Sequence, residues 1–268
     1  MDATRQIVGL TIVRDEDLFI RPALLNAVDF CDRLIVADHQ SRDGTAAIVK
    51  DLAARFSTIE YHEVGHPREA HRLIAPLAGT PTWIFAVDGD EIYDPAGLRQ
   101  LRPKLLGGEY DPWWQVFGNV LNCATLDPRA RQATGYLAPP CRSMTKLFNF
   151  AAIRAWENCP GPLMGGAQEF VAPWHAGLRL DLHLQTPWEQ ALFKCLHLCF
   201  LRRSSLEAGG RDSYARLNMS ERRNQGPKTR LITLVRQLLG QPRESSWKKE
   251  KYMRGPLVPK DVAEFFPA

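Results

Sequence analysis

The sequence has no uninterrupted apolar run of about 18 residues, the minimum for a membrane-spanning helix, so we expect no transmembrane segment. Its first residues lack the basic, apolar and small-residue order of a secretory signal peptide. None of the six cysteines forms a Cys-x-x-Cys pair, a spacing typical of redox and zinc sites. We therefore expect buried free thiols and a cytoplasmic, reducing environment.

The chain also lacks internal repeats, low-complexity segments and a strong excess of one charge. Its 34 Lys and Arg residues against 30 Asp and Glu give a formal net charge of +4. This small excess does not indicate a nucleic-acid partner, and we expect none. The 268 residues are enough for one large domain or two small ones, and they can bury a substantial core.

The N-terminal third alternates short apolar runs with helical patterns. Apolar runs predict strands at residues 7–13, 33–37, 59–64 and 83–87. Helical patterns fall between them, at residues 15–30, 45–56 and 68–78. This alternation predicts an α/β fold with right-handed crossovers and a mostly parallel sheet flanked by helices.

Charged residues follow three of these predicted strands: Arg14, Asp38 and Asp88. In open α/β sheets ligands bind beyond the carboxyl ends of the strands. We therefore expect these three side chains at one ligand-binding rim.

Asp88, Gly89 and Asp90 form an Asp-x-Asp motif directly after the fourth predicted strand, and Glu91 follows. Two such carboxylates suit a divalent cation, Mg²⁺ or Mn²⁺, that also binds substrate phosphates. Gly89 lets a ligand approach the backbone closely. A solvated acidic turn is the structural alternative. An Asp-x-Asp phosphatase is a chemical alternative, although its motif usually lies on the first strand.

Three segments resemble glycosyltransferase family 2. Residues 36–45 resemble the family's Val-Val-Asp-Asp-Gly-Ser-Thr-Asp-Gly-Thr signature, and residues 11–16 resemble its Thr-Ile-Val-Lys-Asn-Glu start. Residues 83–91 are similar to its Trp-Ile-Leu-x-Leu-Asp-Ala-Asp-Glu pattern. Order and spacing match over residues 7–95, and the resemblance is weaker from there to about residue 205.

The resemblance implies a GT-A-like fold, a nucleoside diphosphate sugar donor, a divalent cation and sugar transfer with inversion to a hydroxyl of a glycan, lipopolysaccharide or lipid-linked acceptor. The residues it implies at the nucleotide-sugar site are Thr11, Val13, Arg14, Glu16, Asp38, Arg68, Arg72, Asp88, Gly89 and Arg202. It assigns the metal to Asp88, Asp90 and His197. The last comes from a late His-x-x-x-x-Arg-Ser segment, where a core histidine is the alternative.

His39 and Gln40 depart from the family pattern, which usually has Asp followed by Gly or Asn. Because of this departure, the sequence does not indicate which nucleobase the donor carries. The departure also motivates a second hypothesis, a module that binds a nucleotide or glycan without catalysis.

An inverting transfer needs a base that takes the proton of the acceptor hydroxyl. In the family this base is a carboxylate well after the Asp-x-Asp motif. Glu169 is the candidate here, and Glu157 and Asp181 compete with it. Trp113 and Trp114 either stack on an acceptor sugar or pack in the core.

We predict a domain at residues 1–225, with a nucleotide-sugar half at 1–106 and an acceptor-side half at 107–225. Within the second half, residues 110–185 look strand-rich and residues 187–202 helical or mixed. Residues 226–268 form a basic extension that we expect to be helical, with a helix at 231–239. Its cluster Lys248, Lys249, Lys251 and Arg254 is either a solvated face or a peripheral contact with an anionic membrane.

Overall fold

A computed structural model describes residues 4–142, 145–159, 163, 165–207 and 251–267. The strands are β1 Gln6–Val13, β2 Arg33–Asp38, β3 Ile59–Glu63, β4 Thr82–Asp88, β5 Glu91–Tyr93, β6 Gln115–Asp127, β7 Gln132–Ala138, β8 Thr145–Asn149, β9 Ile153–Glu157, β10 Ala167–Phe170, β11 Arg179–Asp181, β12 Lys194–His197 and β13 Leu257–Asp261. The helices are α1 Ile20–Ala27, α2 Thr45–Arg55, α3 Pro67–Arg72, α4 Pro95–Leu106 and α5 Leu182–Gln185.

One large sheet organises these elements. The described residues form 11 strands in it, with the main order β13-β7-β6-β8-β4-β1-β2-β3, and a separate ribbon of β9 and β10. β3, β2, β1 and β4 are parallel, whereas β8 joins β4 in the antiparallel sense. The predicted α/β class is confirmed, and strands from both predicted halves of the domain lie in the same sheet.

The register brings three strand ends to one edge. Val13 of β1 lies opposite Asp38 of β2, and Ile12 lies opposite Asp88 of β4. Because the strands are parallel, the loops that follow them leave on the same side. This edge, where β1, β2 and β4 end, is called the rim below.

The apolar runs of β1, β2 and β4 are buried on both faces, as predicted, whereas the edge strand β3 is mostly half-buried. Ile7 and Val13 of β1 belong to the core cluster that includes residues of α1, α2 and α4. Val8 and Leu10 point the other way, into the cluster that includes residues of α3 and β9. Burying each such side chain stabilises the fold by about 1.5–3 kcal/mol.

The helix predicted at residues 15–30 is shorter than expected. α1 begins only at Ile20, because residues before it form the rim loop. Asp15 has a positive φ of 55° there. The Glu16 N–H donates to Thr45 Oγ1 (2.8 Å), which ties this loop to the start of α2.

Residues 187–202, predicted as helical or mixed, contain the strand β12 instead. All four of its residues are buried, between β5 and β6. A short apolar run covered on both sides suits a strand as well as a helix, and neighbouring strands decided the outcome.

The C-terminal extension was predicted to be helical, but its last part joins the sheet. β13 pairs with β7 in the antiparallel sense. Phe265 is fully buried and stacks on Trp188, with ring centroids 5.8 Å apart. The helix predicted at residues 231–239, with Lys248 and Lys249, lies outside the described residues.

No helix in the described part of the chain is long and apolar enough to cross a membrane. All six cysteines are buried and free, as expected.

Candidate active site

The loop after β2 is organised by Asp38, which is almost fully buried. Its carboxylate accepts a hydrogen bond from the Ser41 N–H (2.9 Å) and another from the Tyr61 hydroxyl (3.0 Å). Burial and the Asp38 charge raise the pKa of Tyr61 to about 12, so the hydroxyl stays a donor. Asp38 therefore shapes the rim loop, and its contact with a nucleotide stays a prediction.

His39, the departure from the family pattern, supports Arg14. Nη1 of Arg14 lies 3.3 Å from Nδ1 of His39, and Nε2 of His39 lies 3.0 Å from the Gly65 carbonyl oxygen. Burial and the Arg14 charge lower the pKa of His39 and favour its neutral form. Neutral His39 then accepts from Arg14 and donates to Gly65, which holds the guanidinium at the rim.

A buried ion-pair network joins the loops after β1 and β4. Arg203 pairs through Nη1 with Asp90 Oδ2 and with Glu16 Oε1, the latter at 3.2 Å. Burial opposes the charge on Arg203, but Asp90 and Glu16 outweigh it and raise its pKa. Each carboxylate is also buried, and buried charges are stable only when they are paired. Arg203 therefore holds the two acids together.

Gly89 lies where these two loops touch. A Cβ atom on Gly89 would lie 2.7 Å from Val13 Cγ1 and 3.1 Å from Glu16 Oε2. The absence of a side chain therefore lets the Asp-x-Asp loop pack directly on the end of β1.

Asp88 is partly buried, and Glu91 is buried. Burial is the main effect that raises the pKa of Asp88, and the negative charge of Asp90 raises it further. The positive charge of Lys146 lowers this pKa. Burial and the neighbouring Asp88 raise the pKa of Glu91 to about 8. The Tyr93 hydroxyl donates to Glu91 Oε2 at 2.6 Å. The raised pKa favours the protonated form of Glu91 at neutral pH.

His197 approaches Asp90 from β12. Its Nε2 atom lies 3.9 Å from Asp90 Oδ2, and its Nδ1 atom lies 2.9 Å from Asn122 Oδ1. Asn122 donates through Nδ2 to the Tyr136 carbonyl oxygen (3.2 Å), which directs its oxygen at His197. The hydrogen on His197 is thus at Nδ1, and in the neutral ring the lone pair is at Nε2, facing Asp90. Metal-binding histidines are oriented in this way.

These residues fit part of a divalent-cation site. In the described ranges no three His, Cys, Asp or Glu side chains are grouped closely enough to hold a metal ion by themselves. Mg²⁺ is nevertheless commonly bound by one or two carboxylates together with waters and substrate phosphates. The carboxylate of Asp90 suits Mg²⁺ or Mn²⁺ in this manner, and the Nε2 atom of His197 faces the same carboxylate.

Arg202 and Arg203 have different environments. Arg202 is exposed and donates to the carbonyl oxygens of Ser204 (3.0 Å) and Ser205 (2.7 Å) in its own loop. The predicted site residue Arg202 thus does not reach the carboxylates, whereas its neighbour Arg203 does. A signal was present in the sequence, because the Arg-Ser pair of the late motif is Arg203 followed by Ser204.

The other predicted donor-site residues divide into buried and exposed ones. Thr11 and Val13 are buried in β1, the strand that ends at the rim. Arg68 and Arg72 lie exposed on α3 and form no ion pair within the part of the chain that the structure describes. α3 follows β3, so Arg68 at its start lies nearer the rim than Arg72.

Glu169 lies on the separate β9–β10 ribbon, opposite Ala155. Its carboxylate is 3.7 Å from Arg154, and both side chains are more than 60% exposed. Of the competing acids, Glu157 is exposed on the same ribbon, and Asp181 pairs with Arg179 at 3.4 Å.

The ribbon is attached near the amino end of β4. The Gly79 N–H, just before β4, donates to the Phe150 carbonyl oxygen (2.9 Å), and the Val171 N–H donates to that of Ala152 (3.0 Å). Glu169 precedes Val171 by two residues, so it lies towards the end of β4 opposite the Asp-x-Asp motif. The base role predicted for Glu169 thus has no support in this geometry.

Trp114 is a core residue. It is 5% exposed, and its ring lies 5.1 Å from Phe170 and 5.6 Å from Phe148. Trp114 therefore packs in the core and is not available to stack on an acceptor sugar. Trp113 is only partly buried and packs against the opposite core cluster.

No known family model matches the sequence. A TPR repeat-containing protein of Synechococcus elongatus is 33% identical over 103 residues, which are 38% of this chain and 25% of that protein. The matched segment is thus a quarter of that relative's length.

Several solved structures are similar at low TM-scores. The glucosyl-3-phosphoglycerate synthase of Mycobacterium tuberculosis is 20% identical, covering 59% of this chain and 61% of that chain, with a TM-score of 0.38. A mannosyltransferase of Pyrobaculum calidifontis in complex with GDP-Man and Mn²⁺ is 15% identical, covering 72% and 57%, with a TM-score of 0.40. GalNAc-T7 with UDP, GalNAc and Mn²⁺ is 9% identical, covering 75% and 45%, with a TM-score of 0.43. Likenesses this weak carry no argument about the function of this chain.

Proposed function

We propose that this chain is a GT-A-like glycosyltransferase of the inverting type, which uses a nucleoside diphosphate sugar and a divalent cation. The acceptor class is a hydroxyl of a glycan or lipid-linked glycan. One observation carries the proposal: the motif-bearing ends of β1, β2 and β4 meet at one rim, in the register that parallel pairing imposes. The family-like spacing of the sequence and the clustering of the side chains thus agree.

The donor side follows from the rim. The nucleoside would lie over the loops of Asp38 and Arg14, and the diphosphate would lie towards Asp90. Asp90 and His197 would hold Mg²⁺ or Mn²⁺, with Asp88 beside them. When bound, the cation would neutralise the charge of the leaving nucleoside diphosphate.

Arg203 acts on the same carboxylates as the cation. It keeps Asp90 and Glu16 paired and buried in the free protein. We therefore assign to Arg203 the task of preorganising Asp90 before the donor binds.

Donor binding without transfer is the second candidate. It is favoured by the position of Glu169, which lies towards the other end of β4 from the motif. Release of nucleoside diphosphate from a bound donor distinguishes the two, because only a transferase or a hydrolysing enzyme releases it.

The first test is a calorimetric screen of nucleoside diphosphates and their sugars, with Mn²⁺, with Mg²⁺ and with EDTA. We expect at least one to bind only in the presence of metal. Asp90→Asn should weaken this binding about tenfold or more, or about 1.4 kcal/mol, because an amide is a poor metal ligand. Since Asn keeps the shape of Asp, Arg203 should stay in place.

Asp51→Asn is the matched control. Asp51 is an exposed carboxylate on α2 that pairs with Arg21, and its replacement should leave binding unchanged. Failure of every nucleotide to bind with metal present would sink the proposal. Hydrolysis of a simple phosphomonoester would instead favour the Asp-x-Asp phosphatase.

A further inference from the structure

Two lysines from distant parts of the sequence lie beside the Asp-x-Asp motif. Lys146 is on β8, directly opposite Ala86 of β4. Asp88 lies two residues beyond Ala86 and so faces the same side of the sheet. Diagonal neighbours of this kind are about 7–8 Å apart, within reach of a long side chain. Lys146 is partly buried and forms no ion pair with any residue that the structure describes.

Lys251 belongs to the C-terminal extension. Its carbonyl oxygen accepts from the Arg142 N–H (2.9 Å), and the thiol of Cys141 donates to the Tyr252 carbonyl oxygen (3.0 Å). The Lys251 ammonium lies 4.9 Å from the centre of the Tyr252 ring. That ring in turn lies edge-on to His197, 5.1 Å away. Lys251 is thus fixed next to the predicted metal ligands.

The strand order arranges the site along the rim. β2, β1, β4 and β8 are consecutive neighbours in the sheet. Asp38 ends β2 and Asp88 ends β4, while antiparallel β8 begins at the rim, which puts Lys146 there. A ligand with its nucleoside over β2 and β1 would extend its phosphates across β4 towards β8.

The electrostatics favour an anion between the lysines. Burial and the charge of Lys146 lower the pKa of Lys251, and Asp88 acts in the opposite direction. Arg203 already pairs with Asp90 and Glu16. The two ammonium groups are therefore close enough to repel each other. An oxyanion ligand with more than one negative charge relieves this repulsion.

We propose that Lys146 and Lys251 together bind the diphosphate of the donor, on the β8 side of Asp88. The inference rests on the proposed function and extends it to two residues outside the family-like motifs. It also gives the basic C-terminal extension a role at the site. Lys251 would then bind the donor, whereas the sequence left a solvated face or a membrane contact as its alternatives.

The experiment measures binding of two probes by calorimetry, both with Mn²⁺: inorganic diphosphate, and a panel of nucleoside diphosphates. We expect Lys146→Gln and Lys251→Gln each to weaken both about tenfold, as for loss of a charge-assisted hydrogen bond. Binding of the nucleosides without phosphate should not change. Lys104→Gln is the control, because Lys104 is exposed and pairs with Glu109 at 3.1 Å.

Arginine variants separate charge from structure. Lys146→Arg and Lys251→Arg should recover most of the lost affinity, and thermal melts should show that the Gln variants fold. If the Gln variants bind both probes as tightly as the wild type, or if Arg does not recover what Gln loses, the lysine assignment is overturned.

The two proposals fail in different ways. Nucleoside diphosphates bound equally by wild type and Gln variants would overturn the lysine assignment and leave the proposed function standing. Inorganic diphosphate bound by the wild type alone, with no nucleotide bound, would support the lysine pair and refute the nucleotide-sugar donor. Binding of neither probe by the wild type would overturn both.

Discussion

Gly89 determines how closely the two aspartates of the motif approach β1. The space that a side chain would need is filled by Val13 and Glu16. Glu16 is itself held by Arg203, so the loop cannot shift without disturbing a buried ion pair. One missing side chain thus sets the position of Asp90.

Gly89→Ala should therefore lower stability and donor affinity together. Forcing a methyl group into a packed site typically costs about 1–3 kcal/mol. Gly177→Ala is the matched control, since a Cβ atom there would meet no atom within 4 Å. Urea denaturation and nucleotide titration of both variants check this. Equal effects at the two glycines would refute the tight contact.

At the same scale, His39 shows the limit of motif comparison. In the sequence, His39 is a departure from the family pattern, and the nucleobase of the donor could not be predicted. In the structure its ring bridges Arg14 and the Gly65 carbonyl. Gly65 follows β3, so this contact depends on a neighbouring strand and is absent from the local pattern.

The C-terminal extension is the element whose role changes most. β13 lies at the end of the sheet against β7, and Phe265 anchors the end of the chain on Trp188. The Asn26 side chain adds a hydrogen bond to the Phe265 carbonyl oxygen (2.8 Å). This anchoring connects the segment that carries Lys251 to the core of the domain.

Phe265→Ala should lower the free energy of unfolding by about 3–5 kcal/mol, as expected for a buried aromatic ring. It should also weaken diphosphate binding, because Lys251 lies in the same segment. Leu257→Ala, in β13 but 51% exposed, is the control and should change stability by no more than about 0.5 kcal/mol. Chemical denaturation with calorimetric titration measures both. If Phe265→Ala binds diphosphate with wild-type affinity, the packing of Phe265 does not support the position of Lys251, and this prediction is wrong.

For the whole molecule, the proposed site draws on residues from distant parts of the chain. Arg14 and Asp38 come from the first strands, whereas Arg203 and Lys251 come from the last described segments. A ligand that contacts all of them stabilises distant parts of the sheet at once, because every contact is lost when the chain unfolds.

Saturation with Mn²⁺ and the best-binding nucleoside diphosphate should therefore slow amide exchange in both β2 and the segment 251–261. At 100 times the dissociation constant the gain is about 2.7 kcal/mol. Mass spectrometry of exchanged peptides, with EDTA as the metal-free control, measures this. Protection confined to β2 would exclude the C-terminal segment from the site.

The sequence by itself determined the parallel strands, the loops after them and the candidate acids Asp38, Asp88 and Asp90. Apolar runs long enough to be buried, alternating with helices, leave few topologies, and a parallel sheet brings its strand ends to one edge. Strand positions and the loops after them depend on residues that are close together in the sequence, so the sequence alone can predict them.

Tertiary structure alone decided which distant residues lie near the candidate acids. Arg203 instead of Arg202, Asn122 behind His197, and Lys251 beside Asp88 depend on which strands lie side by side and which loops fold back. The same is true of β12 and of the position of Glu169. A short buried run or an isolated acid has no periodic signal, so only packing against its neighbours gives it a conformation and a role.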